Sequence, residues 1–514
     1  MRARSALLAS SVLSVLLGAV AAPLSAQIVF DSPVAFDGGD ALLRVLVGDV
    51  NEDGFPDLTT SHLAIFGSLP TVSYGAPGGQ FGSAQILPGL AGGDELWGQA
   101  DFDADGHLDL LAFLGESPQT SVSIMLGHGD GTYDPPTGIN GNFSRPIDAA
   151  LGDFDADGAL DVAIYNGEFQ FLSGSVLAVF GNGDGSFGEP IDITPDSFPF
   201  GSLGVVRAGD IDGDGFDDVV LTTPVGMPKL LSNGDGSFTE LPCCGGNTPD
   251  KDFELADMNG DGREDLVDCR RIVLADPSGQ LAGPSFVLGT SMTPRTVEVA
   301  DLDADGELDV IVGRNWGSND SSSDPVGDVR VYRGNGDGTA QLPGLTVSHV
   351  HKPRDIAIAD VDLDGRPDAV VAENQIAPSS VRVLFNRTYG AGSPFLDLGG
   401  ALEGSNGSPI QLASGTLVAG QPFAFKLASG PPNGAAYHVV GFNHVDAPFK
   451  GGVMIPSVNL INGPFGLDAA GQRTLAGNWP SGGSGLGLYM QFWMPNGSGP
   501  MGFVASSGVR AQIP

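Results

Sequence analysis

The pattern D-x-[DN]-x-D-G-x-x-D occurs seven times in this chain, beginning at Asp49, Asp101, Asp153, Asp210, Asp257, Asp301 and Asp360. In the third copy, DFDADGALD, positions one, three, five and nine carry side-chain oxygens, and Gly158 at position six permits a sharp turn. A backbone carbonyl at position seven and one water would complete about six or seven oxygen ligands, a set that suits Ca²⁺. Two unit charges about 4 Å apart repel by about 4 kcal/mol at an effective dielectric near 20. Three or four carboxylates therefore cannot converge on one loop without a cation.

The candidate calcium ligands, loop by loop, are Asp49, Asn51, Asp53 and Asp57; Asp101, Asp103, Asp105 and Asp109; Asp153, Asp155, Asp157 and Asp161; Asp210, Asp212, Asp214 and Asp218; Asp257, Asn259, Asp261 and Asp265; Asp301, Asp303, Asp305 and Asp309; and Asp360, Asp362, Asp364 and Asp368. Asn51 and Asn259 remove a charge but keep an oxygen. EF-hands and dockerins use similar loops, but an EF-hand requires a bidentate Glu at position twelve and a flanking helix. Position twelve here is Thr60, Ala112, Ile164, Leu221, Asp268, Val312 or Val371, inside a predicted strand, so the EF-hand reading fails.

The loops recur every 44 to 59 residues, a period that with β-type sequence indicates propeller blades rather than a helical solenoid. Before each loop runs a short alternating segment such as RTVEVAD or RDIAIAD; after it runs an apolar segment such as DVVLT, DVIVG or DAVVA, rich in β-branched residues. A third strand such as VLAVFG or VRVYRG follows. Then comes a turn of the GNGDGSF type, whose Asn-Gly and Asp-Gly pairs accept positive φ. Four strands per unit and seven units predict an all-β chain: a seven-bladed β-propeller over 27–392 with a calcium-binding loop in each blade. The last unit lacks a fourth strand, and the segment QIVFDSPVAFDGG resembles the fourth strands elsewhere. Residues 28–36 or so are therefore expected to complete the last blade and close the ring. From residue 393 to 514 the acidic loops cease, and Gly/Pro/Asn turns separate strands such as PFAFKLA and GLYMQFW, as in a small β-sandwich.

Residues 1–26 have the form of a secretory signal peptide: Arg2 and Arg4, an apolar run from Ala6 to Ala22, and the small-residue site Leu24-Ser25-Ala26, with cleavage expected near Ala26. The mature protein is thus expected to be exported, extracellular or associated with the cell envelope, with no transmembrane segment. The chain has 62 acidic against 23 basic residues, a formal charge of −39. Such a surface repels phosphate backbones and argues against a nucleic-acid partner. Three cysteines exclude a disulfide scaffold. Cys243 or Cys244 could bridge to Cys269, or all three could stay reduced.

The seven loops, with GNGDGSF-type hairpins between them, resemble the FG-GAP/VCBS repeat family, whose calcium-loop blades also form integrin α-subunit heads. The resemblance covers about residues 28–390. It implies a calcium-stabilised propeller, calcium ligands at positions one, three, five and nine, and roles in adhesion, carbohydrate binding or extracellular scaffolding. The C-terminal stretch resembles short β-domains appended to secreted bacterial repeat proteins.

Other chemistry is sparse. Trp97 falls in a column otherwise filled by Val45, Ala149, Val206, Phe253, Val297 and Ile356, and so belongs to the core. Trp316 lies in the polar insertion GRNWGSNDSSSDPVGD of the sixth unit and is the candidate ligand-binding residue. His349 and His351 share a strand face, but no third zinc ligand accompanies them. There is no G-x-S-x-G elbow or reactive-cysteine context. No carboxylate pair outside the loops stands out as a glycosidase pair. The expected function is that of a non-enzymatic, secreted, calcium-stabilised propeller that binds a glycan or surface protein. The alternative is an extracellular carbohydrate-active enzyme, a polysaccharide lyase or hydrolase, built on a similar propeller.

Overall fold

The structure, a computed structural model, describes residues 28–512 except for 32, 38–41, 63–67, 116–120, 142, 144–145, 168–173, 196–203, 224–225, 245–251, 290–292, 316–326, 374–379, 389–394, 398–408, 416–420, 429, 451, 470, 479–486, 497–501 and 507–508. The signal-type segment at 1–26 and Trp316 lie outside the described residues. Among the described residues, the chain up to Thr388 forms seven four-stranded antiparallel sheets, joined by a small Gly75–Ala76/Gln80–Phe81 hairpin in the first unit. Their first strands are Leu42–Gly48, Glu95–Ala100, Pro146–Gly152, Val206–Gly209, Phe253–Ala256, Thr293–Ala300 and Pro353–Ala359. Each runs through an acidic loop into a second strand: Asp57–His62, Asp109–Leu114, Asp161–Gly167, Asp218–Leu221, Asp265–Asp268, Asp309–Asn315 or Asp368–Glu373. Successive first strands touch, and that of sheet seven touches that of sheet one, so the sheets form a closed ring, a β-propeller.

The ring explains the apolar runs after the loops. A second strand has a neighbouring sheet on each face, so both of its faces need apolar side chains and the polar alternation disappears. In sheet three, Val162 and Ile164 pack with Trp97, Phe102 and Leu111 of sheet two. Ala163 and Tyr165, on the opposite face, pack with Val206, Val219 and Leu221 of sheet four. Similar clusters lie in every other gap, including the one between sheets seven and one, where Val370 and Val381 meet Leu42, Val45 and Leu58. Trp97 is buried and stacks on Phe113 at 5.4 Å. Every position-twelve residue sits in a second strand. The one acid among them, Asp268, pairs with Arg271 at 2.8 Å. Cys269 is buried in the gap between sheets five and six, is not disulfide-bonded, and donates its S–H to the Asp252 carbonyl at 3.8 Å.

The fourth strand of sheet seven comes from the other end of the chain. Val34–Asp37 pairs antiparallel with Ser380–Leu384, Val34 opposite Val383 and Asp37 opposite Ser380. The pairing extends outward: Asp31 N–H donates to the Phe385 carbonyl at 2.9 Å, and Arg387 N–H donates to the Val29 carbonyl at 2.7 Å.

Beyond the ring, Phe395–Asp397, Val509–Gln512, Gly487–Pro495, Ala435–Gly441 and Leu460–Gly466 lie side by side in one sheet, with Phe503–Ala505 also on Gly487–Pro495. Ile410–Gly415, Pro422–Ala428 and Arg473–Asn478 form a second sheet. Phe425 and Leu427 of the second sheet share clusters with Met490, Val509, Phe492 and Met494 of the first, so the two sheets enclose one core. His438 is buried in it, stacked on Phe492 at 4.4 Å.

Burial pushes His438 down to about 4. The folded form therefore stays neutral while the unfolded chain protonates near pH 6.5. The stability contributed by neutral His438 is complete above about pH 6.5 and is lost as pH falls towards 4, by about 3 kcal/mol in all. Denaturant unfolding of the C-terminal signal, followed by Trp493 fluorescence between pH 7 and 4, should fall less steeply in His438→Gln than in the wild type; parallel curves would refute the assignment.

Candidate metal-binding loops

In each loop the position-nine aspartate is the first residue of a second strand and is completely buried. Its two oxygens do different jobs. In loop three, one Asp161 oxygen accepts the Phe154 N–H at 2.8 Å, which closes the loop. The other accepts the Gly181 N–H at 2.8 Å, which fixes the end of the third strand. The same pair of bonds recurs with Val50 and Gly75 on Asp57, Phe102 and Gly127 on Asp109, and Ile211 and Ser232 on Asp218. It recurs again with Met258 and Ala275 on Asp265, Leu302 and Gly334 on Asp309, and Val361 and Asn386 on Asp368.

Position one wraps the turn. Both oxygens of Asp101 accept backbone N–H groups, of Asp105 at 3.2 Å and of Gly106 at 2.9 Å, and the position-six glycine is left-handed in all seven loops, with φ +94° at Gly106. Position four is left-handed too, although only Gly213 and Gly260 are glycines there; Glu52, Ala104, Ala156, Ala304 and Leu363 hold φ between 53° and 60°. Non-glycine residues tolerate that region at a cost of about 1 kcal/mol or more, so the loop has to hold them there. Position five stands further out, its carboxylate accepting the position-seven N–H, as Asp157 does from Ala159 at 2.8 Å.

Oxygens of positions one, three and nine converge to within 4.8 Å of one another in five loops: Asp101, Asp103 and Asp109; Asp153, Asp155 and Asp161; Asp210, Asp212 and Asp218; Asp301, Asp303 and Asp309; and Asp360, Asp362 and Asp368. Loops one and five have Asn51 and Asn259 at position three. The position-five aspartates lie outside these close groups. The residues fit a cation by a second criterion. Asp153 Oδ1, Asn259 Oδ1, Asp303 Oδ1 and Asp362 Oδ1 are buried without a hydrogen-bond partner, and each comes from position one or three. A buried acceptor left unsatisfied costs about 1–3 kcal/mol. A hard cation satisfies such oxygens, and an all-oxygen donor set selects Ca²⁺ or Mg²⁺ over softer ions.

Electrostatics agree. Burial raises Asp161 to about 7 and Asp218 to about 8, offset in part by the two backbone N–H bonds that each accepts, and the neighbouring loop carboxylates raise them further. Asp57 and Asp265 rise to about 6 and Asp309 to about 7 for the same reason. A cation among them favours the ionised form.

Loops six and seven differ. The Arg333 guanidinium bridges Asp303 and Asp305. Arg387, only 2% exposed, donates to Asp362 at 2.7 Å, Asp364 at 2.8 Å and Asp31 at 2.8 Å, and Arg366 also pairs with Asp364. In these two loops the protein supplies part of the positive charge itself. The sequence carried a signal for Arg333: the residues that precede the fixed strand end in the other units are Tyr74, Leu126, Phe180, Leu231, Leu274 and Phe385, and an arginine among them is out of place.

The loops also join blade to blade. The position-two carbonyl of Val50 accepts from Gly131 N–H at 3.0 Å, that of Phe102 from Gly185 at 3.2 Å and that of Met258 from Gly338 at 3.0 Å. Each of these donors is a glycine of the next unit's Gly-Asp-Gly hairpin. In two other gaps a side chain replaces the hairpin: Ser232 Oγ donates to Phe154 O at 2.7 Å, and Asn386 Nδ2 to Leu302 O at 2.7 Å.

A closed ring of four-stranded sheets with an acidic loop at the first turn of each defines an acidic-loop type of β-propeller, with carboxylate groups able to hold metal ions. A family profile described as FG-GAP-like repeat matches residues 101–164 and 210–267, each running from one acidic loop into the strand after the next, so the chain carries FG-GAP-like repeats. No curated protein sequence matches the chain. Among solved structures, similarity is found to an Agrocybe aegerita lectin that recognises non-reducing terminal N-acetylglucosamine (19% identity, TM-score 0.44, 62% of this chain and 80% of that one). It is also found to the Vibrio cholerae biofilm matrix protein Bap1 (14%, 0.27, 95% and 67%) and to the Photorhabdus luminescens Tc holotoxin pore (11%, 0.36, 91% and 20%).

Two substitutions in loop three should separate framework from ligand. Asp161→Ala strands two buried N–H groups and should cost about 3 kcal/mol or more with or without calcium. Asp155→Ala should leave the calcium-free protein almost unchanged and remove only the increment that calcium adds. Urea unfolding in EDTA and in millimolar calcium checks both; equal effects of the two substitutions in EDTA would contradict this division.

Proposed function

We propose that this chain is an exported, calcium-stabilised propeller that works by binding, presenting variable loops to a glycan or a cell-surface protein. The supporting observation is how the ring divides its connections between its two ends. Acidic loops leave the first strands and, in sheets two, three, four and six, Gly-Asp-Gly hairpins leave the third strands at the same end, where in three gaps a hairpin glycine bonds the neighbouring loop. The links from second to third strand leave at the other end. In sheet six the second strand ends at Asn315, opposite Gly327 at the start of the third, at the end away from Asp309 and its loop. The repeated chemistry is thus committed to the frame, and the unrepeated segments are free to vary at the opposite end.

The cation supplies the positive charge that lets the loop carboxylates stay ionised side by side. The chain's own residues do the rest: the position-nine aspartates fix the strands, and the position-two carbonyls hold neighbouring blades. Loops two, three and four, where no described arginine forms an ion pair with the carboxylate triad, are the strongest candidate sites. Extracellular calcium modules bind with Kd of about 10⁻⁴–10⁻³ M. At tenfold excess each occupied site adds about 1.4 kcal/mol. Several sites together approach the net stability of a domain, about 5–15 kcal/mol.

EDTA should therefore lower the melting temperature by ten degrees or more, and calcium should restore it; an unchanged melting curve would remove calcium from the proposal. For the activity, glycan-array binding beside a polysaccharide-degradation assay is decisive. Retention on glycans without turnover is expected, with loss of binding in Trp316→Ala. Appearance of unsaturated or hydrolysed products would establish the enzymatic alternative instead.

A further inference from the structure

The first strands of all seven sheets line one cavity at the centre of the ring, of about 460 Å³, within the range of about 300–1,000 Å³ usual for small-molecule sites. Its lining is uneven. Three residues before each acidic loop stand Leu46, Gly98, Ala150, Arg207, Glu254, Glu298 and Ala357, and all but Gly98 line the cavity. At this position sheets four, five and six carry charged side chains and the other sheets small or apolar ones, while Arg44 of sheet one, Gln99 of sheet two and Asp355 of sheet seven also line the cavity.

The two arginines that line the cavity are already committed. Arg207 donates to Asp252 at 2.6 Å, Glu254 at 3.0 Å and Asp148 at 3.2 Å, and Arg44 donates to Asp148 at 2.6 Å. Asp148, Asp252 and Asp355 are committed as well, each accepting a backbone N–H of the following blade, from Val206 at 3.1 Å, Val297 at 3.4 Å and Val45 at 2.9 Å. Glu298 is the exception. Among the described residues its carboxyl has no hydrogen-bond or ion-pair partner, although it lines the cavity beside Glu254. The central cavity therefore combines more acids than bases, one uncommitted carboxyl, and apolar side chains such as Leu46, Ala150 and Ala357.

We infer that the central cavity is a binding site for a small organic cation, an alkylammonium or guanidinium whose charged head meets Glu298 and whose apolar stem lies against Leu46, Ala150 and Ala357. A metal ion fits the geometry less well: Glu298, Glu254 and Asp355 do not gather in a close carboxylate group of the kind seen in the acidic loops. An anion is opposed by the excess of acids. The raised proton affinity of Glu298 follows from burial and from the neighbouring Glu254, Asp355 and Asp252 carboxylates, which Arg207 offsets only in part.

The test is isothermal calorimetry of the full chain, calcium-loaded, at about 0.15 M salt so that exposed carboxylates are screened. The probe is cadaverine, with pentane-1,5-diol as its neutral counterpart. One saturable cadaverine site per chain is expected, with no response to the diol. Glu298→Gln, which keeps the size of the side chain, should weaken the site at least tenfold while leaving the calcium-dependent melting temperature unchanged, and Ala357→Leu should weaken it by filling the apolar side. Cadaverine binding of equal strength in Glu298→Gln would place it on the acidic surface and overturn the inference, as would equal binding of the diol or the absence of a saturable site in the wild type.

Discussion

The structure depends on one buried carboxylate used seven times. The position-nine aspartate accepts one N–H from its own loop and one from the end of the third strand, so a single side chain ties together three strands of a sheet. Because its burial is complete, removal leaves two donors that water cannot reach. The loop it closes then offers its position-two carbonyl to the next blade, and order within one sheet becomes order between sheets. The apolar clusters in the gaps are non-directional and would tolerate slippage; these hydrogen bonds set the register of one blade against the next.

The all-β class and the propeller type were legible because the loop motif is rigidly spaced and its flanks switch from alternating to continuous apolar character. Less legible was the division of labour inside the motif. Four oxygens at positions one, three, five and nine look equivalent in a string of letters, whereas the structure groups one, three and nine and leaves five outside. The reason is that position nine lies in a strand and is fixed by it, while position five lies on the outer side of the turn. Left-handed backbone at position four was also hidden, since five of the seven residues there are not glycine. Conversely, Ala104, Ala156 and Ala304 mark places where loop hydrogen bonds outweigh local backbone preference.

Contacts made across blades were the least legible. Nothing near Arg387 in sequence announces Asp31 as its partner, because the two meet only after the ring closes. The Gly-Asp-Gly hairpins read as turns, and as turns they are sufficiently explained; that Gly131, Gly185 and Gly338 donate to a neighbouring loop follows from the ring geometry alone. The charged group around Arg207 was similarly masked. Arg207, Glu254 and Glu298 are tens of residues apart and become neighbours because they share one position in consecutive first strands.

The strand borrowed from the start of the chain has a consequence in time. Val29 and Thr388, 359 residues apart, are joined by a 2.8 Å hydrogen bond, so the last blade waits for the whole ring to be made before it can finish. Closing a loop of that length is entropically slow, and the same contact must break before the ring can open. Until then the third strand of sheet seven offers an unpaired edge to any passing strand. The latch that makes the finished ring persistent therefore also makes the unfinished one vulnerable, and the interval between the two is when this protein is most exposed to misassembly.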